Sequence, residues 1–201
     1  MSPEVAATVG DDVVTVADVD AREQRLRRGG SAHTLPRPGT AEARQLRRWI
    51  TQVLVAERVL AREAAGAEPA AEHADVEPPD AVARMELGSI AAATLTDPRG
   101  RAVFARVTAG VRVSDGEVRD YHRRNPKRFA PRRAVPGGWH APAGAVDFAE
   151  VRPLIAGHLL AAARRREFRR WLDARCAETV VLAPGYEHPG DPGQPDNTHR
   201  H

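Results

Sequence analysis

The chain has 201 residues, of which 42% are hydrophobic, so it is long enough to bury a core of its own. Aromatic residues make up only 4%, and Ala, Val and Leu carry most of the apolar content, which favours helices over an all-β core. The formal net charge is +3, and arginine carries almost all of the positive charge because Lys127 is the only lysine. We attribute that bias to a GC-rich genome and expect no nucleic-acid partner.

Several classes of protein are excluded or disfavoured. No apolar run reaches the roughly 18 residues that a membrane span needs, and the first residues offer no secretory signal, so we expect a cytoplasmic protein without a membrane partner. Cys176 is the only cysteine, which excludes an internal disulfide and a thiolate-rich zinc site. The absence of a Walker loop, a dinucleotide fingerprint and a nucleophile elbow disfavours ordinary nucleotide-binding and hydrolase functions.

The N-terminal segment predicts a hairpin that leads into a capped helix. Two β-branched runs, 7–9 and 13–16, flank a Gly-Asp-Asp turn. Thr15 and Asp18 have the spacing of a capping pair, and two consecutive glycines at 29–30 end the helix.

The middle of the chain predicts three further helices. Thr40 caps the longest of them, in which apolar residues recur at three-and-four spacing. A linker over 66–79, rich in Ala, Glu and Pro, separates it from a helix predicted over 80–95. Another helix is predicted to begin at Asp97 and Pro98, because an acidic cap followed by proline is a typical first turn.

The last third predicts two helices separated by a connection. Ser114 and Glu117 form a capping box for the first of them. We interpret 130–147 as an irregular linker, since it contains several Pro and Gly residues without a periodic pattern. A long amphipathic helix over 148–175 follows, and a short strand over 179–182 closes the folded part.

Five of these segments together resemble SurA-type and PrsA-type chaperones. VGDDVVTVADV resembles the opening motif of that family and LRRWITQVL its second helix. VSDGEVRDY and NPKRF resemble the approach to the parvulin prolyl-isomerase domain, and the helix from Phe148 to Leu172 resembles the return from it. Here the linker over 130–147 stands where that whole domain would be. The resemblance therefore implies a SurA-N-like peptide-binding scaffold without the isomerase.

The same resemblance implies that both chain ends contribute to one domain. We expect residues 1–182 to form a single, mainly α domain with a small β element built from the N-terminal hairpin and the C-terminal strand. Each strand run is too short to be stable alone, so we expect 180–182 to lie beside 13–16.

The first functional hypothesis is a non-catalytic, chaperone-like protein that holds an extended peptide or a partner protein in a helical groove. Such a groove would be lined by apolar and aromatic side chains, although the same residue types also suit a core. The candidate groove residues are Trp49, Ile50, Leu87, Ile90, Phe104 and Trp139.

The competing hypothesis is a metal-dependent enzyme that acts on a small molecule, as in secondary-metabolism tailoring, and reuses the scaffold. The tail over 183–201 combines imidazoles and carboxylates, which suit zinc, iron or copper, but such a composition also fits a solvated terminus without a cofactor. His140 and His158 are candidate catalytic side chains. The candidate metal ligands are His188, Asp191, Asp196, His199 and His201.

Overall fold

The structure is a computed structural model that describes residues 4–30, 32–65, 79–129, 132–135, 139–142, 147–191 and 193, with only the backbone described for 132–135 and 139–142. It is mainly helical with a small antiparallel sheet, which confirms the predicted fold class. The described residues of Met1–Val107 and Arg169–His201 form one compact unit, unit 1, and those of Thr108–Phe168 form unit 2. Folding of 1–182 as a single domain stays a prediction.

The sheet in unit 1 joins the two ends of the chain. Strands β1 (Val5–Val9), β2 (Asp12–Thr15) and β5 (Val180–Leu182) lie in the order β2-β1-β5, and both pairs are antiparallel. Thr8 of β1 is opposite Val13 on one side and Val181 on the other. The prediction that both chain ends share one sheet is therefore confirmed.

The predicted neighbour of the C-terminal strand was wrong, because β5 pairs with β1 and not with the strand over 13–16. Ala6, Ala7 and Val9 are fully buried, as expected for the central strand of a sheet. β2 pairs with one edge of β1 to form the hairpin, and β5 pairs with the other edge of β1. The hydrogen bond from Gly10 N to Thr179 O, 2.8 Å, continues this pairing beyond the strand end.

Helix α2 is the centre of unit 1, whose helices before residue 108 are α1 (Val16–Arg28), α2 (Ala41–Ala65), α3 (Ala81–Leu87), α4 (Ser89–Thr94) and α5 (Pro98–Val107), with a short 3-10 turn over Ala32–Thr34. It packs against α1, α4, α5 and strand β1, and its buried side chains include Ile50, Val53 and Val55. A stripe of apolar residues at helical spacing is what brings these neighbours together.

The predicted capping residues begin their helices as expected. Thr15 Oγ1 accepts a hydrogen bond from Asp18 N at 3.1 Å, while Asp18 Oδ2 accepts one from Thr15 N at 3.0 Å. Ser114 and Glu117 form the equivalent box at the start of α6 (Asp115–Arg124). Each box satisfies backbone N–H groups that the helix itself leaves without acceptors.

The helix predicted over 80–95 is two helices, α3 and α4, so its continuity was predicted wrongly. Gly88 separates them with a φ of +80°, a conformation that favours glycine because other residues meet steric resistance there. Its N–H caps α3 by donating to Arg84 O, and its carbonyl accepts from Ala92 N to begin α4. The apolar spacing continues across the break, which is why the pattern suggested one helix.

Unit 2 is a helix pair with a hairpin. It contains α6 (Asp115–Arg124), strands β3 (Arg132–Val135) and β4 (Trp139–Pro142), and residues 148–168 of helix α7 (Phe148–Thr179).

Val118, Val151 and Ile155 form the buried core of unit 2. The prediction of an irregular linker over 130–147 was wrong where β3 and β4 pair, with Val135 opposite Trp139. Backbone hydrogen bonds define this hairpin, and its first strand lacks the β-branched alternation that identifies strands in a sequence.

None of the described helices has both the length and the apolar character needed to cross a membrane.

Candidate functional site

Five of the six residues predicted to line a groove are buried or half-buried in unit 1. Ile50 is 0% exposed and Leu87 is 2% exposed, so both belong to the core of unit 1. Trp49, Ile90 and Phe104 are half-buried. The indole Nε1 of Trp49 donates to Ser89 Oγ at 3.0 Å and thereby attaches α2 to the first residue of α4.

An open groove of about 460 Å³ runs along α3 and α4 in unit 1. We call it the α3–α4 groove. Its apolar lining comes from Met85, Ala92 and Ala93. Met85 is 83% exposed, and Val82, one helical turn earlier on α3, is 58% exposed. Sequence reasoning missed both residues, because the apolar pattern of a helix does not distinguish an exposed apolar residue from a buried one.

The polar side chains of the α3–α4 groove are largely held by the protein itself. Thr96 Oγ1 donates to Ala93 O at 2.7 Å, and Ser89 Oγ accepts the Trp49 indole N–H. Arg84 Nε donates to Pro79 O at 3.0 Å, which holds the guanidinium at the groove edge. The groove therefore offers apolar contact and one cation.

That cation retains hydrogen-bonding capacity. Within the described chain, the two Nη groups of Arg84 make no hydrogen bond or ion pair, so they can donate to a carbonyl or a carboxylate of a bound molecule. This combination suits recognition of a peptide, whose backbone supplies carbonyl oxygens at every residue.

His158, a predicted catalytic candidate, lies in an aromatic cluster of unit 2. Its ring centroid is 5.6 Å from that of Tyr121 and 5.7 Å from that of Phe129, and its Nε2 is 3.4 Å from Tyr121 Oη. The Arg128 guanidinium lies 5.8 Å from the Tyr121 ring centroid. These contacts are typical of packing against the core formed by Val118 and its neighbours. A catalytic role of His158 stays a prediction.

The other predicted catalytic histidine, His140, lies in β4 next to Trp139, where it is opposite Ala134. Any role of the Trp139 and His140 side chains lies outside what the structure describes.

The first part of the tail is attached to unit 1. Gln52 Nε2 donates to Tyr186 O at 3.2 Å. His188 Nδ1 accepts from Gly190 N at 3.0 Å, and Asp191 Oδ1 accepts from Gly193 N at 2.8 Å. Because Nδ1 of His188 accepts this bond, Nε2 carries the ring proton, so His188 could bind a metal only if this turn opened.

The other predicted ligands, Asp196, His199 and His201, lie outside the described residues. Among the described residues, no group of three or more His, Cys, Asp or Glu side chains is arranged to hold a metal ion. A zinc, iron or copper site that involves the tail therefore stays a prediction.

Residues 5–42 match the model of a family of unknown function (DUF7158). This segment contains β1, β2, α1 and the 3-10 turn, and it therefore overlaps the hairpin and capped helix described above. Comparisons with curated proteins and with solved structures gave no match.

Proposed function

We propose that this protein is a non-catalytic, chaperone-like binding protein that holds an extended peptide in the α3–α4 groove. The observation that carries the proposal is the exposure of Met85 in the lining of an open groove, with Val82 also exposed one helical turn earlier. Large apolar side chains exposed together mark interaction surfaces, because leaving them in water is unfavourable. The resemblance to SurA-type chaperones supports the same function, and we place it in the cytoplasm without prolyl-isomerase activity.

The chemistry of the groove favours a peptide over a rigid small molecule. Methionine is flexible and polarisable, so Met85 can adapt to different apolar side chains. Arg84 can meanwhile bind backbone carbonyls, which every peptide has. The groove is open rather than enclosed, and an elongated ligand gains more contact with such a surface than a compact one does.

A binding assay on matched variants tests the proposal. Fluorescein-labelled peptides of about ten residues, which extend over ~35 Å, would be titrated with the full chain and followed by fluorescence anisotropy. We expect binding to apolar peptides, and Met85→Ser should weaken it about tenfold, because burying a methionine contributes about 1.5 kcal/mol.

Leu154→Ser is the matched control, since Leu154 is a large apolar residue of unit 2 that is 57% exposed. It should leave peptide affinity unchanged. Equal weakening by both substitutions, or no peptide binding by the wild-type chain, contradicts the proposal.

A further inference from the structure

A second concave surface in unit 1 is rich in arginine. This cleft, of about 410 Å³, lies between α1, α2 and the turn that joins α4 to α5, and we call it the arginine cleft. Asp18, Arg22 and Arg25 lie at three-and-four spacing on one face of α1. Glu57 and Arg58 lie three and four residues after Leu54 on α2, so both helices turn charged side chains toward the cleft. Four guanidiniums line it in total, those of Arg22, Arg25, Arg58 and Arg99.

Two of the three carboxylates in the arginine cleft are used as helix caps. Asp18 Oδ2 accepts hydrogen bonds from Thr15 N and from Thr15 Oγ1, at 3.0 and 2.9 Å. Asp97 Oδ1 accepts from Arg99 N at 2.7 Å. The Thr15 bonds lower the pKa of Asp18, and the nearby charge of Arg58 adds to this effect. Both carboxylates are therefore engaged with the backbone.

The third carboxylate pairs with one of the arginines. Glu57 Oε2 accepts from Arg22 Nη2 at 2.6 Å, and both side chains are partly shielded from solvent. The guanidiniums of Arg25, Arg58 and Arg99 make no hydrogen bond or ion pair with any residue that the structure describes. The cleft thus keeps three guanidiniums that have all their donors available for a ligand.

The arginine cleft and the α3–α4 groove border the same turn. Ala93 and Thr96 line the groove, while Thr94 and Asp97 line the cleft. These four residues lie between the last turn of α4 and the start of α5. One peptide that crosses this turn can therefore reach both surfaces.

We infer that the arginine cleft binds a carboxylate of the peptide held in the α3–α4 groove, so that the preferred ligands are apolar peptides with a Glu or Asp residue. This inference rests on the proposed function. Guanidinium groups recognise carboxylates through paired, charge-assisted hydrogen bonds. The apolar part of the cleft, which includes Val14 and Leu54, suits the aliphatic stem of a glutamate. The three carboxylates in the lining disfavour a polyanion such as nucleic acid.

Paired peptides test this inference on the full chain. A set of apolar peptides of about ten residues would carry one Glu at each position in turn, and a matched set would carry Gln instead. We expect the best Glu peptide to bind about tenfold more tightly than its Gln counterpart, and the difference to shrink as salt is raised.

Two double variants assign the preference to the arginine cleft. Arg58→Gln with Arg99→Gln should abolish the Glu preference, whereas Arg37→Gln with Arg119→Gln, which removes the same charge at exposed positions outside the cleft, should retain it. Met85→Ser should weaken Glu and Gln peptides alike.

Equal binding of Glu and Gln peptides, or a preference that survives in the cleft variant, overturns the inference and leaves peptide binding intact. Failure of every peptide to bind overturns the proposed function and the inference together.

Discussion

Helices α4 and α5 approach each other at a point where the structure has room only for glycine. A Cβ atom at Gly100 would lie 2.1 Å from Thr94 O and 2.9 Å from Thr94 C, both of which are backbone atoms. Ordinary contacts begin near 3.4 Å, so Gly100→Ala requires α5 to move about 1 Å away from the end of α4. Overpacking of this kind costs about 3 kcal/mol, and the better helix propensity of alanine offsets about 1 kcal/mol. We therefore expect a net loss of about 2 kcal/mol.

Urea denaturation followed by circular dichroism measures this loss of unfolding free energy. Gly157→Ala is the control, because Gly157 also lies inside a helix but has no atom within 4 Å of the added Cβ. That variant should be stabilised by up to about 1 kcal/mol. A Gly100→Ala protein as stable as the wild type would refute the argument from close helix approach.

Three further outcomes follow from individual residues. Burial, with a smaller contribution from the charge of Asp173, raises the pKa of Cys176 from 9.0 to about 11. At pH 8 the folded protein should therefore react with a disulfide reagent about 100-fold more slowly than the urea-unfolded protein. Equal rates would contradict this. The backbone hydrogen bond from Thr15 lowers the pKa of Asp18, so the stabilising effect of the Asp18 carboxylate is present above about pH 4 and is lost as the pH falls through the lower folded-state pKa. Asp18→Asn should weaken this acid dependence of the unfolding free energy in urea titrations. An unchanged pH profile would count against it. Replacing His199 and His201 by alanine should abolish the uptake of zinc, iron or copper, measured by elemental analysis, and should leave the helical circular dichroism signal unchanged. A wild-type chain that takes up none of these metals would contradict the metal hypothesis.

The sequence predicted best those features that local chemistry determines. Thr15 with Asp18, and Ser114 with Glu117, begin helices where their spacing indicated, because a capping box depends on residues only three apart. The long apolar periodicity likewise identified α2. Pairing of the chain ends was also expected, although the choice of β1 over β2 depends on which strand is buried, a tertiary property.

The sequence predicted poorly those features that depend on a single backbone angle or on long-range packing. A positive φ at Gly88 divides a continuous apolar pattern into α3 and α4, and Met85 of α3 is exposed. No periodicity distinguishes such an exposed apolar residue from a buried one. The arginine cleft was missed for a similar reason, since residues on α1 and α2 become neighbours only when the helices pack.

The most direct measurement of the central claim is the position at which a bound peptide touches the protein. An apolar peptide that carries a photoreactive benzophenone side chain would be irradiated with the full chain, and the cross-linked residues would be identified by mass spectrometry. The account predicts cross-links within the α3–α4 groove, centred on Met85 and on Ala92 and Ala93. Cross-links confined to unit 2, or an unchanged pattern with Met85→Ser, would contradict it.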